Sequence, residues 1–309
     1  MQETREAVLS ALVDGPIAGP ALAESLGVSR AAVWKHVEAL REAGFEIASS
    51  DAGYELTDRP EFGGEAVEFG LDAPYEIEYH QTIDSTNHRA RELAVEGREN
   101  VVVLADAQTG GRGRLDRAWS SPSGGIWLSI LCRPTVPAVQ APIFTLAAAV
   151  ATARAVRETG VEATIKWPND ILVGKKKLAG ILTEMQGEAD RISWLIVGIG
   201  INANVDFEVL PSDQPATSLQ AECGEVTRRT VTQRLLEEFH ELSNTRDAVI
   251  PAWRELSATL GQQVRVETPD GEIIGEATDI EFPGTLLVET ESGRRQVTAG
   301  DCEHLRPQK

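Results

Sequence analysis

Cysteine is scarce: Cys132, Cys223 and Cys302 are the whole complement of 309 residues. They are odd in number, far apart and without CxxC spacing, which argues against a disulfide framework or a zinc cluster and fits a reducing compartment. Lysine is nearly as rare, and three of its six residues are packed into Lys175-Lys176-Lys177. With 29 basic against 48 acidic residues the formal net charge is −19. That excludes indiscriminate nucleic-acid binding, because phosphate affinity rests on clustered Lys and Arg; a local basic site stays open. The acidic excess runs along the whole chain, a composition suited to high ionic strength, where salt screens self-repulsion. Long apolar runs are missing too. The opening Met1-Gln2-Glu3-Thr4-Arg5-Glu6 has no signal-peptide core, and no later stretch reads as long enough to span a membrane, so a cytoplasmic protein without a membrane partner is expected. The length suggests two or three domains.

Glycine and arginine, by contrast, are concentrated in one stretch, Gly110 to Gly125, GGRGRLDRAWSSPSGG. Glycine adopts backbone conformations closed to other residues and lets peptide N–H groups approach a ligand closely. Guanidinium groups are permanently charged bidentate donors for phosphate or carboxylate. Arg112, Arg114 and Arg117 have only Asp116 as an acid within the loop, so the expected counter-charge is a bound anion. A solvated surface loop is the plain alternative. Position favours the ligand: Val101-Val102-Val103-Leu104-Ala105 reads as a buried strand leading in, and Gly125-Ile126-Trp127-Leu128-Ser129-Ile130-Leu131 as one leading out.

Residues 1–58 read as a winged helix-turn-helix. Val8, Leu9 and Leu12 have helical spacing, stopped by Asp14-Gly15-Pro16, and a second helix closes at Gly27. Ser29 caps a third, from Arg30 to Ala43, whose inner face is Val33, Val37 and Leu40. Two short strands around Ser50-Asp51-Ala52 form the wing. Ser29, Arg30, Trp34, Lys35 and His36 are the candidate DNA contacts: the basic ones for phosphates or base edges, Trp34 for apolar contact. Over residues 1–59 acids outnumber bases ten to five, so only the recognition face can be locally basic, and an appendage that no longer binds DNA is the alternative.

Residues 59–73, with Pro60, Gly63-Gly64 and Gly70, read as a linker. Beyond it, Asp84-Ser85-Thr86-Asn87 stands at a strand-to-helix junction, an N-cap on the plain reading and a set of donors and acceptors for a small heterocycle on the functional one. Residues 142–158 form an alanine-rich helix. Pro168 then breaks a strand and Asn169-Asp170 put polar atoms at the break. The lysine triplet reads as a solvated hairpin turn. Strands follow at 178–185, where Gly180 allows close backbone approach, and at 194–202, where the alternating Gly198 and Gly200 leave room for a ligand, a subunit or a closely packed helix. The loop from Asp206 to Pro215 and the amphipathic helix from Val231 to Asn244 carry no recognisable chemistry. His240 and His304 read as surface or core residues. From Leu260 on, short strands broken at Pro269-Asp270-Gly271, Pro283-Gly284 and Ser292-Gly293 suggest a small SH3-like barrel.

Taken together, Ser85-Thr86-Asn87, Gln108, Gly111-Arg112-Gly113-Arg114, Lys166-Trp167-Pro168-Asn169-Asp170, Lys177-Leu178-Ala179-Gly180-Ile181-Leu182 and Gly198-Ile199-Gly200-Ile201-Asn202 resemble biotin protein ligase, over most of residues 75–205. With the helix-turn-helix and the C-terminal run Gly300-Asp301-Cys302-Glu303-His304-Leu305-Arg306, the chain is similar to the bifunctional ligase and biotin operon repressor family. The resemblance implies an α+β fold: a winged helix-turn-helix (1–58), a linker (59–73), a mixed-sheet, class II synthetase-like ligase domain (74–257) and an SH3-like domain (258–309). It implies that biotin's carboxylate attacks the α-phosphate of ATP, with Mg²⁺, giving biotinyl-5′-AMP and pyrophosphate, and that this mixed anhydride then acylates a lysine of a biotin carboxyl carrier domain, leaving AMP. Charge stabilisation, more than a proton acceptor, is what such a step needs.

By the same resemblance Lys177, Arg112 and Arg114 are catalytic. Ser85, Thr86, Asn87, Gln108, Gly111, Arg112, Gly113, Arg114, Lys177 and Gly180 hold biotin, while Arg117, Trp119, Asn169 and Asp170 serve the nucleotide; no residue is assigned to a metal. Operator DNA and a second copy of the chain, joined at exposed sheet edges, are further implied partners. Ligation of lipoate or another acid on the same fold stays an alternative.

Overall fold

The computed structural model describes residues 3–206 and 215–305, without the Asp116 side chain. Most of the expected 206–215 loop, residues 207–214, and Arg306 of the C-terminal run therefore lie outside the described residues. Helices α1 (Glu3–Val13), α2 (Gly19–Ser25) and α3 (Arg30–Glu42) bury Val8, Leu9, Leu12, Leu22, Val33, Val37 and Leu40 in one small core. The hairpin β1 (Glu46–Ser50) and β2 (Gly53–Asp58) is the wing. Ser29 accepts the Ala32 N–H at 3.1 Å, which fixes where the third helix begins.

Residues 59–73 are more than the linker that their prolines and glycines suggest. Gly64–Glu68 form a short helix, α4, because Ala66 and Val67 find a buried face. Phe69 joins the N-terminal core and Arg5 of α1 pairs with Glu65, so the first domain is seated on this segment.

The central sheet has the order β3-β4-β5-β9-β8-β7-β6, where β3 is Glu76–Ile83, β4 Val101–Gln108, β5 Ile126–Cys132, β6 Ala163–Lys166, β7 Asp170–Val173, β8 Lys176–Glu188 and β9 Arg191–Ile201. Only β3 and β4 run parallel; the other neighbours are antiparallel, giving the mixed sheet. Strand β4 shows why both faces are covered. Val102 and Leu104 point into the main core, while Val101 and Val103 pack with Ala90 and Leu93 of α5 (Thr86–Val95). The main core is closed by α6 (Pro142–Arg157), with α8 (Arg228–Asn244) and α9 (Val249–Leu256) against it; a short helix, α7 (Leu219–Cys223), precedes α8. The stretch Ala138–Arg157 is, by length and composition, apolar enough to cross a membrane, contrary to the sequence reading; 72% of its apolar window is buried inside the protein, where it is the core helix.

The C-terminal sheet is antiparallel, in the order β13-β12-β11-β10-β14, from β10 (Gln263–Thr268), β11 (Gly271–Glu281), β12 (Thr285–Thr290), β13 (Gly293–Val297) and β14 (Asp301–His304). This strand set is compatible with the SH3-like barrel expected.

Candidate ligand-binding groove

A cavity of about 1080 Å³ opens where the C-terminal end of β4, the N-terminus of α5 and the exposed face of β8 and β9 meet. One end is a polar network. Gln108 Oε1 accepts from both the backbone N–H (2.8 Å) and the hydroxyl (3.0 Å) of Thr86, while its amide donates to Ser121 Oγ at 3.0 Å. The Ser129 hydroxyl lies 2.6 Å from Asn87 Oδ1 and 2.8 Å from Thr86 Oγ1, and Asn87 Nδ2 donates to Glu184 at 3.0 Å. Ser85 is the N-cap of α5, its hydroxyl accepting from His88. The N-cap reading and the site reading therefore describe the same residues: capping turns Thr86 and Asn87 towards the sheet, where they are buried and still line the cavity.

The alternating glycines of β9 have two different neighbours. A Cβ on Gly198 would stand 2.2 Å from Asn87 Oδ1, and one on Gly200 2.7 Å from Trp119 Nε1. One glycine admits the helix that carries the polar network, as the close-packing reading expects, and the other admits the chain's own Trp119 ring over the sheet.

The other end is cationic. Opposite β7, strand β8 shifts register between Lys177 and Ala179, so that Leu178 and Ala179 are both buried. This irregularity puts Lys177 and Gly180, three residues apart, on the same groove face, which a regular strand of period two would not do. Lys177 Nζ is 2.6 Å from Asp170 and 5.0 Å from the centre of the Trp119 ring. Of the lysine triplet, then, Lys177 is not surface decoration. Arg114 donates to Asn169 Oδ1 at 3.1 Å and to the Gly300 carbonyl at 2.7 Å; Arg117 pairs with Asp301 at 2.5 Å. Arg117 thus has a counter-charge that the loop alone did not show, a carboxylate 184 positions away.

The loop's glycines also act differently from the sequence reading. Gly110, Gly111 and Gly113 are not in the left-handed region; Leu115 (φ 55°) and Gly124 (φ 98°) are. Gly111 is small for want of space: a Cβ there would lie 2.5 Å from the Trp119 carbonyl and 2.6 Å from Ser121 Oγ. It backs the loop and does not line the cavity, unlike the other proposed biotin and nucleotide residues, all of which do.

Sequence reasoning missed Ser121, Ser129, Glu184, Lys166, Asn202 and Asp301. Asn202 and Lys166 stand inside the quoted motifs and could have been found as polar residues ending apolar strands; Asp301 had no local signal. The C-terminal domain also holds the Lys-Trp-Pro-Asn-Asp turn, since Thr259 Oγ1 accepts from Trp167 N (2.9 Å) and Trp167 Nε1 donates to the Gly284 carbonyl (3.0 Å). His304 Nε2 lies 3.0 Å from that Thr259 hydroxyl, and burial together with the positive charge of Lys166 holds its pKa below the usual value. His240, the other lone histidine, is set edge-on to Tyr75.

Two buried polar atoms in the groove have no protein partner: the Trp119 indole N–H and Asn202 Oδ1. Both residues line the cavity, and a donor and an acceptor left open there fit a bound polar ring. Among the described residues no three His, Cys, Asp or Glu side chains converge, so a divalent cation here would be held chiefly by phosphates, with Asp170 the protein carboxylate beside Lys177 and Asp301 the one beside Arg117. On the recognition helix Arg30, Trp34 and Lys35 are exposed and His36 is half-buried; Arg41 is occupied by Glu38 and the Ile47 carbonyl of the wing.

The model of the biotin/lipoate A/B protein ligase family matches residues 79–202, that of the biotin protein ligase C-terminal domain 259–305, and an HTH domain 5–55. The bifunctional ligase/repressor BirA of Bacillus subtilis is 38% identical over 93% of each chain. BirA of Escherichia coli is 29% identical over 88% of this chain and 87% of its own. Among solved structures, the biotin protein ligase of Aquifex aeolicus in complex with biotin and ATP superposes with a TM-score of 0.62 and 29% identity, covering 74% of this chain and 98% of that one.

Proposed function

The chain belongs to the biotin protein ligase family, in its bifunctional ligase/repressor form, and from that premise we propose that it activates biotin with ATP as biotinyl-5′-AMP and transfers it to a lysine of a biotin carboxyl carrier domain. The observation that carries this reading is the polarity of the groove: the hydrogen-bonding network of Thr86, Asn87 and Gln108 at the α5 end, Lys177 and Arg114 at the other, and Trp119 over Gly180 and Gly200. Thr86, Asn87 and Gln108 orient the uncharged ring of biotin. Lys177 meets its carboxylate, and Asp170 yields the ammonium to the incoming anion. Arg112 and Arg114 stabilise charge on the α-phosphate as the new bond forms, a role that needs preorganised cations and no general base. Arg117, Asn169 and Asp170 attend the nucleotide, and Trp119 covers it from water. Mg²⁺, when bound, neutralises the phosphate oxygens.

The helix-turn-helix is a DNA-binding repressor module, with Ser29, Arg30, Trp34, Lys35 and His36 as its contacts; liganded protein pairs through exposed sheet edges to reach an operator, in the cytoplasm. The division at residues 58, 73 and 257 is the domain scheme that goes with this reading. Isothermal titration of biotin and then ATP with Mg²⁺, with mass spectrometry of the bound species, tests the ligase. Recovery of biotinyl-5′-AMP is expected; a protein that ignores biotin and adenylates lipoate overturns the substrate assignment. A band-shift titration with DNA from upstream of the protein's own gene tests the repressor, and equal affinity for unrelated DNA overturns it.

A further inference from the structure

Arg228, the first residue of α8, lies outside the groove and every hydrogen-bonding group on its side chain is engaged. Its Nε and Nη2 donate to Glu61 at 2.8–3.0 Å, and its backbone N–H donates to the same carboxylate at 2.8 Å. Its Nη1 donates to Asp106 at 2.7 Å and to the Gly125 carbonyl at 3.0 Å, and the guanidinium is stacked 4.1 Å from the centre of the Phe62 ring. Arg228 is only 12% exposed and Asp106 7%, so that pair is a desolvated, charge-assisted contact, while Glu61, 40% exposed, holds the other side of the guanidinium from the rim.

The two carboxylates belong to different functions. Glu61 follows the wing strand β2 by three residues, and its own carbonyl accepts from Arg229 at 3.1 Å. Asp106 precedes Gln108 by two positions on β4 and accepts from Ser123 at 2.5 Å and Gln81 at 3.0 Å. Burial acts to raise its pKa, but the hydrogen bonds from Ser123 and Arg228, with the charge of Arg228, outweigh it and keep the carboxylate ionised. Asp106 and the Arg228–Gly125 bond therefore pin the outgoing end of the Gly110–Gly125 loop, whose incoming end is the groove.

We propose that Glu61, Arg228 and Asp106 form the mechanical joint between the winged helix and the ligand loop, with Arg228 as the positioning residue. Displacing the first domain moves Glu61, hence Arg228, hence the strand end that sets Gln108 and the loop. By linkage, ordering of the loop on its ligand feeds back on the first domain to the same extent. The inference rests on the ligase reading above, because it takes biotinyl-5′-AMP as the ligand that orders the loop.

The test is the dissociation rate of biotinyl-5′-AMP from the full-length protein, measured by stopped-flow fluorescence, for wild type, Glu61→Gln, Glu61→Asp and Arg228→Lys. Glu61 touches no residue of the groove, so a purely structural role predicts a lowered Tm and an unchanged off-rate. The joint predicts an off-rate raised about fivefold or more in Glu61→Gln, the low end for coupled sites, with kcat at saturating biotin within about twofold. It also predicts a similar or larger rise in Arg228→Lys, which loses the fork, and partial recovery in Glu61→Asp. An off-rate in Glu61→Gln equal to wild type overturns the joint even if Arg228→Lys fails to fold. Wild type that retains no adenylate overturns the ligase reading instead, so the two failures are distinct.

Discussion

The groove and the recognition helix use cations in opposite ways. In the groove Lys177 rests on Asp170, Arg114 on Asn169 and a carbonyl, and Arg117 on Asp301. On α3, Arg30 and Lys35 extend into solvent beside Trp34, which is 58% exposed. A site for a small anion must have its charges already in place, because catalysis comes from groups that do not reorganise as charge develops. A DNA face gains from counterion release and tolerates mobile side chains. In a chain of net charge −19 the first arrangement is held in place by partners within the groove. The second is exposed to the acidic surface, and operator affinity should therefore be far more salt-sensitive than adenylate formation.

The largest effect that would break this comparison comes from removing a preorganised cation. Lys177→Ala and Arg114→Ala are each expected to lose on the order of 2–4 kcal/mol of transition-state stabilisation, read as the single-turnover rate of adenylate formation; near-native rates in either refute the catalytic role. Gly198→Val comes next. Its side chain has no room beside Asn87, and overpacking costs about 1–3 kcal/mol of stability together with biotin affinity; calorimetry that finds both unchanged would mean that α5 is free to shift. Gly111→Ser should raise the off-rate of the adenylate through the clash with the Trp119 carbonyl.

On the DNA side, Lys35→Ala is expected to weaken binding across sequences and reduce the slope of log affinity against log salt by about one, with ligase activity unchanged. A specific loss at one base pair would instead assign Lys35 to base readout. The smallest effect concerns His304. Its pKa is depressed in the fold, so its proton binds the unfolded chain more readily. The stabilisation is complete above pH about 6.5 and is lost as pH falls through that value and the lower folded one. The Tm should therefore decline from pH 7.5 to 5.5 with a shallower slope in His304→Gln; identical slopes would remove His304 as the cause.

Local signals were legible wherever one residue type had only one economical explanation. Ser29 before an apolar-periodic run is an N-cap, the unbroken apolar run Val101 to Ala105 is a buried strand, and a loop dense in glycine and arginine is no part of a core. The same signals misled where a distant partner decided the outcome. Ala66 and Val67 look like linker residues until a face exists to bury them. The loop glycines suggested backbone freedom, which Gly124 uses, yet Gly111 serves close approach and a second left-handed position went to Leu115.

The sequence alone was sufficient for the order of most elements and for the polar and cationic motifs, because each depends on neighbours within a few residues; the kind of ligand followed from the resemblance of those motifs taken together. What holds those motifs in place was decided by the tertiary structure. The Thr259 hydroxyl under Trp167, the Gly300 carbonyl and Asp301 on the arginine loop, and Arg228 between Glu61 and Asp106 join residues separated by 92 to 186 positions. Such pairings leave no periodic trace, since a hydrogen bond requires only that two groups be brought within about 3 Å of each other, and chain folding alone does that.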